Sequence, residues 1–210
     1  SKSWMKTASR ARSATLAGLF FGLSAWACGY HAVLALAILP IPILVFLEDR
    51  VFLKTAPLGV AAALCFLLPL QRLHQRALDP LSYERTVGET AFFSAPIEAL
   101  FSTSASNRVW GALTENLRSV VEADLFQGVT VMLLAALASR AVLCPSPTRR
   151  TVVGYVVLAV CAWGIALGPE VHLFGSTLFA GPFAWIREVG VFRMIRVPAR
   201  ASVFLGLALS

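Results

Sequence analysis

Long uncharged stretches alternate with short charged connectors along this chain. A transmembrane helix needs about 20 consecutive apolar residues, because only a closed structure such as a helix pairs its backbone polar groups where water is absent. The alternation therefore predicts an integral membrane protein. The predicted spans cover approximately residues 13–47 (one kinked span or two short ones), 55–70, 125–144, 151–167 and 201–210.

The first stretch, Ser13–Leu47, contains no Asp, Glu, Lys or Arg. As one helix it would be about 52 Å long at 1.5 Å per residue, whereas the hydrocarbon core is about 30 Å thick. Cys28–Tyr30 is the expected break and the prolines at 40 and 42 are the expected kinks. One kinked span and two short spans both remain open, and the charge pattern favours two.

The segments between the predicted spans give the expected orientation of the chain in the membrane. The basic connector Pro145–Arg150 is expected in the cytoplasm by the positive-inside rule, which places residues 71–124 and 168–200 outside. Within the first of these, Asp79 and Pro80 predict a helix running towards Leu100, followed by a second helix over Val109–Val121. The next predicted span, near residue 55, would have Pro57 in its first turn.

The expected fold is all-α: a polytopic transmembrane helical bundle with an extracytoplasmic helical loop. Residues 1–210 would form one membrane domain. Because the chain begins at Ser1 and ends inside an apolar run, we expect a segment of a longer protein.

The amino-acid composition limits the kinds of partner that the protein is expected to bind. Apolar residues make up 58% and charged residues 14% of the chain, against about 25% charged in soluble domains. Much of the net charge of +7 lies in the tail before Ser13 and at Arg149–Arg150, as the positive-inside rule predicts. Nucleic-acid binding is not expected, because the basic residues are not interleaved with exposed aromatic residues. The four cysteines lie in or beside apolar stretches without metal-ligand spacing, so no metal site is predicted.

A group of arginines forms the first candidate site. Arg193, Arg196 and Arg200 are three and four residues apart, which would put them on one face of a helix, and Arg187 precedes them. Pro198 disfavours a helical Val197, so a bend in that face is expected there. Guanidinium groups at a membrane interface can hold a phosphate through paired hydrogen bonds. The alternative is that they anchor the chain to lipid headgroups beside Trp185.

Acidic residues form the second candidate site. Glu122 and Asp124 lie two apart before a predicted span, and Glu89 lies earlier in the same loop. Such carboxylates can activate a hydroxyl or hold a divalent cation, which is the one cofactor left open. The alternative is a solvated loop face with helix caps.

Several short motifs occur in a fixed order. They are Leu16–Ser24 with Trp26, Cys28 and Tyr30; then Arg85, Glu89, Phe93–Ala95 and Asn107–Arg108; then Glu122–Gly128; then Ala166–Pro169; and finally Arg196–Arg200. This order resembles the middle part of bacterial membrane proteins of the C-type (GT-C) glycosyltransferase superfamily, which includes the YfhO-like proteins. Gln127 departs from it, because relatives often have proline before that glycine.

The resemblance implies a multi-pass enzyme of the bacterial cytoplasmic (inner) membrane. It would transfer a sugar from a polyprenyl-phosphate carrier to a cell-envelope acceptor, with membrane lipids and other membrane proteins as partners. In that superfamily the catalytic carboxylate usually lies in the first extracytoplasmic loop, which the resemblance places outside this segment. The alternative is a non-catalytic membrane subunit or a transporter of lipid-linked glycans.

Overall fold

The computed structural model describes residues 2–78, 86–117, 124–143, 145 and 148–209. It is mostly helical, with 70% helix and few strands. The chain divides into two compact units. The first comprises Ser1–Leu36 with Ile43–Tyr83, and the second comprises Ala37–Pro42 with Glu84–Ser210.

Two long helices dominate the first unit, α1 (Lys2–Ala27) and α4 (Arg50–Leu78). They pack through glycines. A Cβ atom placed on Gly18 would collide with the backbone of Gly59, and one placed on Gly22 would lie 2.8 Å from the Cβ of Phe66. The absence of side chains at these positions lets the two helix backbones approach closely, as small residues do where helices meet in membranes.

Contacts at both ends show that α1 and α4 run parallel. Near the start of each helix, Arg10 pairs with Asp49. Near the end of α1, Trp26 donates a hydrogen bond from Nε1 to the carbonyl oxygen of Phe66 at 2.9 Å. The chain between the two helices must therefore turn back along their length, a distance of about 24 Å at 1.5 Å per residue.

The connection between α1 and α4 contains two short helices, α2 (Gly29–Ile38) and α3 (Pro40–Leu44). The interruptions at Cys28 and before Pro40 lie where the sequence predicts a break and a kink. Helix α1 extends beyond the predicted apolar stretch: it begins at Lys2, because its basic residues are good helix formers.

The start of α4 also differs from the prediction. The carboxylate of Asp49 caps it, accepting hydrogen bonds from the N–H groups of Val51 at 2.9 Å and Phe52 at 3.2 Å. The helix therefore starts at Arg50, and Pro57 lies inside it rather than in its first turn. It also runs to Leu78, beyond the predicted end of this span at residue 70.

The second unit has five α-helices in the described residues: α5 (Val87–Phe92), α6 (Val129–Ser139), α7 (Arg149–Ala166), α8 (Pro182–Ile186) and α9 (Ser202–Leu209). Helix α7 agrees with the span predicted at 151–167, and it contacts α6, α8 and α9. The core includes Phe183, Leu125, Ile195 and Val171, which are fully buried.

A β-hairpin interrupts the predicted all-α fold. Strand β1 (Glu170–Leu173) pairs antiparallel with β2 (Ser176–Ala180) inside the predicted loop at 168–200. The two residues between the strands have positive φ, 46° at Phe174 and 79° at Gly175. A two-residue turn in which both residues have positive φ matches the right-handed twist of antiparallel strands.

The predicted loop helices differ from the structure where it describes them. Asp79 and Pro80, the predicted start of the first, lie outside the described residues. Within them, α5 begins after Thr86, whose side chain accepts a hydrogen bond from the Glu89 N–H at 3.1 Å. It ends at Phe92, and a 3₁₀ helix, Ile97–Phe101, follows Pro96. In place of a helix over 109–121, the described residues form turns and the 3₁₀ helix Glu115–Leu117.

Within the described ranges, two helical segments are long and apolar enough to cross a membrane, Arg50–Leu73 and Arg149–Ala166. Shorter apolar helices cover Gly29–Ile38, Val129–Val142 and Pro198–Leu209. The segment predicted at 125–144 begins its helix only at Val129, because Gly128 has a φ of 98° and the residues before it are not helical.

Candidate functional site

Two of the predicted site residues, Glu89 and Arg196, are in direct contact. The Nε of Arg196 donates to Oε1 of Glu89 at 2.9 Å. The guanidinium carbon also lies 4.6 Å from the centre of the Phe93 ring, a cation–π contact. A carboxylate at the side and an aromatic ring at the face thus hold the guanidinium in one orientation.

Local structure explains the position of Glu89. It lies in the first turn of α5, and its backbone N–H is paired with the Thr86 side chain that caps the helix. Phe93 follows one turn later, at the C-cap, so both residues face the same side of α5. The same helix therefore supplies the carboxylate and the ring.

Arg196 is positioned by its buried neighbours. Ile195 is 1% exposed, and its carbonyl oxygen accepts a hydrogen bond from the Thr90 hydroxyl at 3.4 Å. Because Thr90 is itself in α5, this contact places the backbone just before Arg196 beside the helix that carries Glu89. The single hydroxyl proton of Thr90 is shared with the nearer carbonyl oxygen of Thr86 at 3.1 Å, so the contact with Ile195 is the weaker of the two.

The four predicted arginines do not share one helical face. Arg193 is in the 3₁₀ helix Gly190–Met194, Arg196 is in the non-helical residues that follow, and Arg200 is in the 3₁₀ helix Pro198–Ala201. Proline at 198 restricts Val197 to extended conformations, which interrupts the helix that the spacing predicted. Arg187 lies further back, as the C-cap of α8.

The arginines also differ in their partners. Arg193 lies 3.9 Å from a carboxylate oxygen of Glu188, and both side chains are exposed, so this pair contributes little stability. Arg196 makes the shorter contact, with its side chain 46% exposed and that of Glu89 29% exposed. Arg196 therefore combines an ordered contact with a side chain that remains about half open to solvent.

The predicted carboxylates fall in different places. Glu122 lies outside the described residues. Asp124 accepts a hydrogen bond from the Ser102 hydroxyl at 2.9 Å, next to Leu125, whose N–H donates to the Ala99 carbonyl. Asp124 thus contacts the 3₁₀ segment, whereas Glu89 contacts Arg196.

One buried carboxylate of this loop was not among the predicted site residues. Glu98 is 7% exposed, and its Oε1 accepts a hydrogen bond from the Phe174 N–H at 2.9 Å, which fastens the hairpin turn to the 3₁₀ helix Ile97–Phe101. Its other oxygen is buried without a hydrogen-bond partner among the described residues. Nothing in the sequence separates Glu98 from the exposed acids around it, since its burial depends on the hairpin.

The free donors of Arg196 determine which kind of ligand this site can bind. A guanidinium has five N–H donors, and the contact to Glu89 uses the one on Nε, which leaves the terminal nitrogens of a half-exposed side chain for an oxyanion. Over the described ranges, no group of three or more His, Cys, Asp or Glu side chains is placed to hold a metal ion. The geometry therefore suits anion binding.

In comparisons with known proteins, no protein family, curated protein or solved structure matches this chain. The glycosyltransferase resemblance accordingly depends on the ordered motifs alone. Among those motifs, the fold brings Glu89 and Phe93 into contact with Arg196, and it joins Ala95 to Ala166 through a backbone hydrogen bond of 2.8 Å.

Proposed function

We propose that this chain is part of a C-type glycosyltransferase-like protein of the bacterial inner membrane, and that Arg196 binds the phosphate of its polyprenyl-phosphate sugar donor. The observation that carries the proposal is the Arg196 guanidinium, which Glu89 and Phe93 orient while about half of the side chain stays accessible. The sugar would pass to a cell-envelope acceptor.

The position of Arg196 suits a lipid-linked donor. The apolar helical segment Pro198–Leu209 begins two residues later. A polyprenyl phosphate places its charged group at the membrane surface and its chain in the hydrocarbon, so its phosphate would meet a cation at the start of an apolar segment. Trp185, 76% exposed, is of the type that accumulates at this boundary.

Within this proposal, Glu89 positions Arg196 and does not activate the acceptor. Its carboxylate is already engaged by the guanidinium at 2.9 Å. The catalytic base would be another carboxylate, supplied as the resemblance implies by an extracytoplasmic loop of the whole protein. Arg187, Arg193 and Arg200 would add positive charge near the phosphate.

The test is binding of polyprenyl phosphate to the purified full chain in lipid nanodiscs. We expect Arg196→Ala to weaken binding by about tenfold or more, and Arg196→Lys to restore part of it, because lysine keeps the charge but not the paired hydrogen bonds. The matched control is Arg140→Ala, at the end of another apolar helix. Equal binding by the wild type and Arg196→Ala would overturn the proposal.

A non-catalytic subunit that binds the lipid-linked sugar is the second candidate. The observation that favours it is that both described candidate carboxylates are engaged, Glu89 by Arg196 and Asp124 by Ser102. Incubation of the whole protein with a radiolabelled polyprenyl-phosphate sugar and an envelope acceptor separates the two functions. Transfer of label supports the enzyme, and binding without transfer supports the subunit.

A further inference from the structure

The C-terminal part of α4, in the first unit, carries two arginines on one face. Arg72 and Arg76 are four residues apart, so their side chains are neighbours on the helix surface. Both line a shallow groove of about 470 Å³, whose apolar wall includes Leu64, Leu68 and Leu73.

The groove runs from an apolar to a charged environment. The candidate membrane span in α4 ends at Leu73, with Arg72 and Arg76 on either side of that end. Leu64 and Leu68 lie one to three turns earlier and are 41% and 50% exposed. A molecule lying along the groove would therefore have an apolar part inside the membrane and a negatively charged part at its surface.

The positive charges of Arg72 and Arg76 favour an anion at the end of the groove where these two residues lie. Like charges four residues apart on a helix repel each other. In the part of the chain that the structure describes, neither arginine has a carboxylate partner. One phosphate between the two guanidinium groups would remove the repulsion and accept hydrogen bonds from both.

We propose that this groove binds an anionic phospholipid, such as phosphatidylglycerol. Its phosphate lies between Arg72 and Arg76, and an acyl chain follows Leu68 and Leu64. This site is on the first unit and does not depend on the function proposed for Arg196, which is on the second.

The experiment is native mass spectrometry of the purified full chain with phosphatidylglycerol or phosphatidylcholine. The test variant is Arg72→Gln with Arg76→Gln, which preserves helix propensity. The control is Arg50→Gln with Lys54→Gln, a pair with the same spacing at the other end of α4 that does not line the groove. Circular dichroism checks that both variants keep their helix content.

We expect the wild type and the control to retain phosphatidylglycerol in preference to phosphatidylcholine, and the test variant to bind it about tenfold more weakly. Millimolar inorganic phosphate should not displace the lipid, because the acyl chain contributes to binding. Equal loss in both variants, unchanged binding by the test variant, or no preference between the lipids would overturn the proposal. Arg196→Ala should retain phosphatidylglycerol, which keeps this test separate from the test of Arg196.

Discussion

The close contact between α1 and α4 is tested by Gly18→Ala. A Cβ on Gly18 would lie 2.7 Å from the carbonyl carbon and 2.9 Å from the Cα of Gly59, and it would also collide with the carbonyl oxygen. Ordinary contacts of a Cβ begin at 3.4 Å. Because all three atoms belong to a helix backbone, they cannot rotate away, and the two helices must separate by at least ~0.7 Å.

The size of the effect follows from two opposing terms. Overpacking of a tight contact costs about 1–3 kcal/mol, and a backbone clash that forces two long helices apart belongs in the upper part of that range. Replacement of glycine by alanine within a helix returns about 1 kcal/mol of helix propensity. We therefore expect Gly18→Ala to lower the free energy of unfolding by about 1–2 kcal/mol.

Gly29→Ala is the matched control. A Cβ on Gly29 has nothing within 4 Å, and this residue begins α2 in the same unit. The substitution should be neutral or stabilise the protein by at most about 1 kcal/mol, through the restricted unfolded chain. The difference between the two variants isolates the cost of separating α1 from α4.

The assay is reversible unfolding of each variant in mild detergent micelles, followed by circular dichroism. Tryptophan fluorescence gives a second reading, since separation of the helices also lengthens the 2.9 Å hydrogen bond from Trp26 to the Phe66 carbonyl. If Gly18→Ala were as stable as the wild type, or if Gly29→Ala lost as much stability, the glycine contact would not hold α1 against α4.

Three further experiments test other contacts. A double-mutant cycle on Arg196 and Glu89 should give a coupling free energy of about 1 kcal/mol in thermal unfolding, since the pair is partly exposed; zero coupling would contradict a stable contact. The hydrogen bond from Arg10 lowers the pKa of Asp49 below 3.8, so its stabilisation is complete above that pH and is lost as the pH falls further. Melting curves between about pH 6 and pH 3 should therefore show a smaller acid loss for Asp49→Asn than for the wild type. Gly168→Ala should destabilise the second unit by at least about 2 kcal/mol, because this residue has a φ of 75° and a Cβ would collide with a neighbouring side chain; an unchanged melting temperature would refute this.

The candidate site was predictable in its residue types but not in its pairing. Glu89 and Arg196 were each selected from the sequence, for different reasons and from different predicted loops. Their contact depends on α5 packing against the buried Ile195, which no local pattern indicates. The face that spacing alone would give Arg193, Arg196 and Arg200 is interrupted before Pro198, where the sequence predicted a bend, because spacing implies a shared face only while the helix continues.

The β-hairpin is a second feature that the local sequence could not predict. Phe174 and Gly175 form a two-residue turn, yet one glycine beside an aromatic residue is a weak signal for a hairpin. The turn is stabilised by the hydrogen bond from Phe174 to Glu98, a residue far away in the sequence. The hairpin and the burial of Glu98 therefore depend on each other and on the fold of the whole unit.

By itself, the sequence determined where the long apolar helices of the chain lie. Helix α7 and the middle of α4 agree with prediction, because a long uncharged run favours a helix through its own backbone hydrogen bonds. Only the tertiary structure decided that α1 and α4 run parallel with their backbones in close contact at glycines, and that Glu89 holds Arg196. These features join distant residues, so their energy comes from packing and charge contacts that exist only once the chain has folded.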